Sequence, residues 1–234
     1  MSRPVSLSPQ EAKALAVQIG FDAAGIAPPH SPALPAWVRS VLVCMHAALD
    51  DAYDYEMFIE YDGRRKWHKP IYTLLESLAF RLAEALRERG LQAMALTYED
   101  SLALIDLKRA AVEAGLGILG KNNVVVTRRY GPRVRFGAVF VDADWPADGK
   151  LLDYFCSSCT LCWKACPTKA LGPWGFVRER CIAEFAPAPA MAALQEQLEH
   201  HPTPHTRWQC TACLTACPIG SKLPTSFYRD VRRE

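Results

Sequence analysis

An α+β fold in two parts is predicted by three features of the 234-residue sequence. Apolar residues recur alternately with helical and strand periods over the first 150 residues, the pattern of a layered α/β region. Residues 151–234 carry eight of the nine cysteines and few periodic stretches. Half of the residues are hydrophobic, enough to bury one substantial core and a small second module. The predicted domains are therefore 1–150 and 151–234.

Each element has a local reason. Ser8-Pro9-Gln10-Glu11 combines a capping box with proline at the first helical position, predicting a helix to about Ile19 that stops at Gly20. A short apolar strand is expected over 21–27, then a proline-broken loop through Pro35. The run VLVCMHA (41–47) reads as a buried strand. Ile71, Leu74, Leu75, Leu78, Leu82 and Leu86 form one stripe of a helix over 70–89, ended by Gly90. A strand over 91–97 and a helix over 102–114, stopped by Gly115, follow. Residues 124–127 and 134–141 predict a hairpin joined across RRYGPR. The second part shows one helix near residues 191–200 and is otherwise loop-rich, so it needs a staple, which metal supplies.

The formal charge of +2 excludes a broadly basic nucleic-acid binder. The opening MSRPVSLSPQ lacks a secretory or twin-arginine signal, and no apolar run reaches membrane-spanning length. A cytoplasmic location is expected, with no membrane partner. Clustered cysteines then read as metal ligands or redox centres, not disulfides.

The spacing Cys156-x2-Cys159-x2-Cys162-x3-Cys166-Pro167 is that of bacterial ferredoxins, in which the fourth cysteine ligates the other cluster. Three cysteines at three-residue intervals let a tight loop wrap three corners of a cubane, and the proline turns the chain away. A second half-motif, Cys210-x2-Cys213-x3-Cys217-Pro218, follows, and Cys181 stands between them. Two [4Fe–4S] cubanes need eight thiolates. Weaving assigns Cys156, Cys159, Cys162 and Cys217 to one, and Cys166, Cys181, Cys210 and Cys213 to the other. Structural zinc, which favours two separated CxxC pairs, fits this run poorly. Each cluster with its thiolates carries about −2, so the loaded chain carries roughly −2 in total. Cys44, inside VLVCM, reads as a buried free thiol.

AGLGILGKNN (114–123), a predicted hairpin, CSSCTLCWKACPTKAL, the lone Arg180-Cys181-Ile182 and the final half-motif occur in an order that resembles epoxyqueuosine reductase and the related reductive dehalogenases. The resemblance covers about residues 40–220. It implies two [4Fe–4S] clusters and a base-off cobalamin between a nitroreductase-like α/β domain and a ferredoxin-like module. Electrons would pass from the Cys166, Cys181, Cys210 and Cys213 cluster to the other and then to cobalt. Gly115, Leu116, Gly117 and Gly120 would let backbone approach the corrinoid, and Lys121 and Asn122 would contact its amide or phosphate groups. A helix cap followed by a tight turn explains the same glycines.

Two departures stand out. Ungapped alignment from AGLG places Ser101 where that family carries a proton-donating aspartate, with Asp100 one residue earlier, and Asp106-Leu107-Lys108-Arg109 replaces an arginine-containing stretch. The chain also ends 17 residues after Cys217, where the full-length reductase continues into a helical-repeat domain that grips transfer RNA. The expectation is a cobalamin-binding iron–sulfur redox protein, served by a low-potential flavodoxin or ferredoxin type donor and acting on a small molecule or another corrinoid protein. Transfer RNA is the less favoured partner. Epoxyqueuosine reductase and a plain two-cluster ferredoxin are the alternatives.

Other segments read more simply. Asp50, Asp51, Asp54 and Glu56, interleaved with Tyr53, Tyr55 and Phe58, fit a solvated edge better than a mobile loop over a cofactor. Arg64-Arg65-Lys66-Trp67-His68 reads as a charged turn, and Arg229, Arg232 and Arg233 as a frayed tail. His200, His201 and His205 have no metal-ligand companions in sequence.

Overall fold

The structure, a computed structural model, describes residues 7–49, 55–184, 187–198 and 205–220. In chain order the elements are α1 (Pro9–Ile19), β1 (Ala23–Ala27), β2 (Ser40–Ala47), β3 (Tyr55–Tyr61), β4 (Arg64–His68), α2 (Pro70–Arg87), β5 (Ala93–Ala95), α3 (Tyr98–Leu104), α4 (Leu107–Glu113), β6 (Ile118–Leu119), β7 (Val125–Val126), β8 (Val134–Val141), α5 (Leu161–Ala165), β9 (Leu171–Gly172), β10 (Gly175–Phe176), α6 (Pro189–Gln195), β11 (Thr206–Trp208) and α7 (Ala212–Thr215). They form two compact units, each drawn from three stretches of chain.

The first unit comprises Met1–Ala47, Tyr72–Leu119 and Val134–Phe155. Its core is an antiparallel sheet in the order β1-β2-β8-β5. The central strands β2 and β8 pair from Ser40↔Val141 to Ala47↔Val134. Helix α4 packs against β2, nearly all of whose residues are buried, and VLVCMHA carries no polar alternation. The capping box of α1 forms as expected: Ser8 Oγ accepts from Glu11 N, and the Glu11 carboxylate accepts from Ser8 N. Leu75, Leu78, Leu82 and Leu86 of the predicted stripe are buried on α2.

Two expectations are corrected here. The single helix expected over 102–114 is two helices, because Ile105 is extended and the Asp106 carboxylate accepts from Lys108 N and Arg109 N, starting α4 afresh. The hairpin across RRYGPR is not formed by β8, which pairs instead with β2 and β5. That turn closes on itself through a Thr127–Gly131 bridge.

The second unit comprises Ala48–Ile71, Gly120–Arg133 and Cys156–Glu234. Strands β3 and β4 form an antiparallel hairpin, extended by β11 on the β3 edge. Tyr55–Tyr61 and Arg64–His68, which take in the described part of the expected solvated edge and the expected charged turn, are therefore strands, and Glu56, opposite Arg207 in the β3–β11 register, is buried. Compactness does not follow one cut at residue 150, since residues 48–71 and 120–133 fold with the cysteine-bearing segment. Asp50, Asp51, Tyr53, Asp54, His200, His201, Arg229, Arg232 and Arg233 lie outside the described residues, as do the side chains of Tyr55, Phe58 and residues 64–67. Among the described residues, no helix is long and apolar enough to cross a membrane.

Candidate metal centres

Cys156, Cys159, Cys162 and Cys217 line one cavity, together with Asn122, Val126, Pro218 and Ile219. Cys162 sits in α5, behind the loop that carries Cys156 and Cys159, and Cys217 follows α7. Lys121 fixes that loop: its Nζ donates to Ser157 O at 2.6 Å and to Cys159 O at 3.2 Å. The same ammonium lies 5.0 Å from the Trp163 ring centre, and Trp163 Nε1 donates back to Lys121 O at 3.3 Å. Cys217 is seated by backbone contact. Gly220 and Gly131 both have positive φ, and a Cβ on Gly131 would stand 2.0 Å from Ile219 O. Sequence reasoning passed over this pair; the signal was glycine in the RRYGPR turn and in the Cys-Pro-Ile-Gly run.

The other four cysteines form a second group. Cys166 is buried beside Ala170 and Leu171, with Cys181 and Cys213 packed against them. Burial pushes the Cys213 thiol up to about 12, and Cys210, Cys181, Cys166 and Cys162 add to the rise. Burial, then Glu184, Cys210 and Cys166, raises Cys181; burial, then Cys166, raises Cys210. In the first group, burial followed by Cys156 raises Cys162, and burial followed by Cys156 and Cys159 raises Cys217. The thiols thus oppose one another's ionisation within each group, and Cys162, buried beside Cys166, also acts on Cys213. Cys166 departs from this. Burial raises its thiol, but bonds from Thr168, Leu171 and Ala170 outweigh burial and lower it; Ala170 N–H donates to Sγ at 3.2 Å.

Such donor sets fit a cationic iron–sulfur core, whose charge offsets four converging thiolates. Among the described residues, no group of three or more His, Cys, Asp and Glu side chains closes on a single ion.

Cys181 stands outside any CxxC run, and the chain after it is held by side-chain amides. Gln195 Nε2 donates to Ile182 O (2.7 Å) and Glu184 O (2.8 Å), and Gln209 Nε2 donates to Ala183 O (2.8 Å). Gln195 Oε1 accepts from Arg207 Nη2 at 3.0 Å, and Arg207 Nε bonds Glu56 Oε2 at 3.1 Å. Lys69 Nζ lies 3.2 Å from Glu56 Oε1. Arg207, Glu56 and Lys69 are 1%, 2% and 4% exposed, so this is a buried ionic network reaching the residue next to Cys181.

The remaining predicted residues divide between the units. Gly115 ends α4 in the Schellman arrangement, with Leu116 N–H reaching Ala111 O and Gly115 N–H reaching Val112 O. Leu116 is half-buried and Gly117 buried in the first unit, whereas Gly120, Lys121 and Asn122 belong to the second. Asn122 Oδ1 is buried without a hydrogen-bond partner, a deficit that typically costs about 1–3 kcal/mol. Asp100 is exposed in the first turn of α3, where its carboxylate accepts from Thr97 Oγ1 at 2.9 Å. Ser101 is buried, donates to Tyr98 O at 2.7 Å, and lines a cavity of about 280 Å³ with Tyr72, Glu76, Tyr98 and Phe136. Glu76 accepts from Tyr98 N at 2.8 Å, and the Tyr72 and Tyr98 rings stack at 3.8 Å. Cys44 is fully buried in β2, as expected.

No family model matches the chain. It is 34% identical over 159 residues to an epoxyqueuosine reductase of Gloeobacter violaceus, covering 67% of this chain and 47% of that one. A solved epoxyqueuosine reductase bound to an epoxyqueuosine-modified tRNA-Tyr stem loop superposes with TM-score 0.64 at 19% identity, over 91% of this chain and 65% of that one. The chain belongs to the epoxyqueuosine reductase/reductive dehalogenase-like family. The dehalogenase branch of this family is represented by a tetrachloroethene reductive dehalogenase of Dehalobacter restrictus, 31% identical over 103 residues (43% of this chain, 18% of that one). A reductive dehalogenase structure described for B12-dependent dehalogenation matches 99% of this chain and 35% of its own, with TM-score 0.65 at 15% identity. The chain spans between about a third and a half of the length of the curated epoxyqueuosine reductases it matches.

Proposed function

We propose that this chain is an iron–sulfur, corrinoid-dependent reductase of the epoxyqueuosine reductase type, acting on transfer RNA. The observation that carries the reading is the cavity shared by Cys156, Cys159, Cys162 and Cys217. A cysteine from the far end of the described chain joins a closely spaced triplet, as a woven pair of [4Fe–4S] sites requires. In this reading the first unit is the nitroreductase-like, corrinoid-binding part, and the second is the ferredoxin-like module. Cys166, Cys181, Cys210 and Cys213 would hold the cluster that accepts electrons from a flavodoxin or ferredoxin type donor, and Cys156, Cys159, Cys162 and Cys217 would hold the second cluster of the relay. Cobalamin, bound base-off, supplies a strongly reducing cobalt centre. The stretch assigned to holding it would offer backbone at Gly115, Leu116, Gly117, Gly120, Lys121 and Asn122, since the Lys121 ammonium binds Ser157 O and Cys159 O and the Asn122 side chain lines the cysteine cavity.

Opening an epoxide to an alkene consumes two electrons and two protons and releases the oxygen as water. The chain must therefore hold a proton donor. Asp100 is the acid assigned to that role, its carboxyl lying at the solvent-facing start of α3.

Anaerobically reconstituted protein tests the reading when supplied with cobalamin, a reductant and tRNA carrying epoxyqueuosine. Queuosine is the expected product, with stoichiometric base-off cobalamin. A protein that binds cobalamin base-off yet leaves the tRNA unchanged supports a second reading, delivery of electrons to a corrinoid used elsewhere. The buried Ser101, standing where an acid is expected, favours that reading. Failure to bind cobalamin leaves a plain two-cluster ferredoxin.

A further inference from the structure

We infer that Asn122 is a hydrogen-bond donor to the sulfurs of the first cluster and raises that cluster's reduction potential, an inference that rests on the two-cluster reading above. Apart from the four cysteines, the walls of their cavity are Val126, Pro218, Ile219 and Asn122. Asn122 is therefore the one lining residue with a side-chain N–H to offer. It is 6% exposed, and its Oδ1 finds no partner among the described residues. Gly120 makes the room it occupies, since a Cβ there would stand 2.6 Å from Asn122 Oδ1.

The orientation follows from charge. Four thiolates and the sulfides they surround present only acceptors, and an amide oxygen facing them meets a like pole. A carboxamide is nearly symmetric in shape, so either end can be presented to the cavity without displacing neighbours, and Nδ2–H is the end that sulfur favours. The adjacent Lys121 cannot substitute, because its ammonium is committed to Ser157 O and Cys159 O. Reduction adds negative charge to the cluster, and a donor aimed at its sulfurs stabilises that charge, moving the potential upward.

The test is an EPR-monitored redox titration of the reconstituted full chain, comparing wild type with Asn122→Ala and Asn122→Asp. Ala removes the donor; Asp keeps the volume and replaces the donor with a negative acceptor. One cluster potential is expected to fall in Asn122→Ala and further in Asn122→Asp, with the other cluster unmoved. Equal potentials in all three proteins at wild-type iron content overturn the proposal, as does a rise. Should both variants lose iron, wild type labelled with [15N]asparagine decides. A 15N hyperfine coupling to one reduced cluster, seen by pulsed EPR, supports the donor, and its absence overturns it. A wild-type chain that never takes up about eight iron atoms refutes the two-cluster reading instead.

Discussion

Two buried sulfurs illustrate opposite treatments of a thiol. Cys166 sits among N–H and hydroxyl donors that favour its thiolate, whereas Cys44 lies in an apolar strand where burial alone pushes its thiol far up. Thiolate is the reactive and metal-binding form. Cys44→Ala is therefore expected to leave the iron content at wild type, whereas Cys166→Ala removes iron; iron and sulfide assays of reconstituted protein check both. The raised Cys44 pKa also has a sign. The folded state keeps the proton longer than the unfolded chain, so this contribution is complete below the unfolded thiol's value of about 8.5 and is lost as pH rises toward the folded one. Cys44→Ala should flatten the alkaline decline in stability, measured by denaturant unfolding between about pH 8 and 10. The identity of Cys44 as a core residue was legible in VLVCM, because an uninterrupted apolar run needs no partner to explain it.

Elements were legible where their determinants are local. Ser8 and Glu11 lie within one turn of each other, and the capping box they spell is the one that forms. Ser8→Ala should destabilise the chain by about 1 kcal/mol in denaturant unfolding. The hairpin of β3 and β4 was not legible, because what buries it lies far away in sequence: Arg207, 151 residues beyond Glu56, neutralises that carboxylate. Charged residues that look solvated in a sequence window are core residues once their partners arrive. Glu56→Ala leaves Arg207 and Lys69 buried without their shared anion and should cost about 3–5 kcal/mol. Through Gln195 it should also loosen the chain beside Cys181, so the second cluster is expected to be lost first. Iron content and EPR spectra of Glu56→Ala and Glu56→Gln, read beside their unfolding curves, check this.

At the scale of the whole molecule, cysteine spacing carried the most information. Three-residue intervals restrict how a chain can wrap a cubane, and the pairing of Cys217 with the triplet emerges in the cavity they share. Spacing said nothing of which other segments complete the second unit, since neither carries a cysteine: residues 48–71 join it through strand pairing and buried charge, and residues 120–133 through Lys121 and the close approach of Gly131 to Ile219. Nor could it reveal that Asp100 bonds Thr97, the N-cap of α3, while Ser101 lines a cavity. Asp100→Asn is expected to slow epoxyqueuosine turnover while iron and cobalamin content stay at wild type; single-turnover assays separate the two.

The pairing of β11 with β3 has a consequence for biosynthesis. Thr206–Trp208 leaves the ribosome long after Tyr55–Tyr61, so the earlier strand must wait, its edge unpaired, for most of translation. Cys210, Cys213 and Cys217 emerge just behind that late strand. Closing the sheet and delivering the last thiols are thus nearly one event.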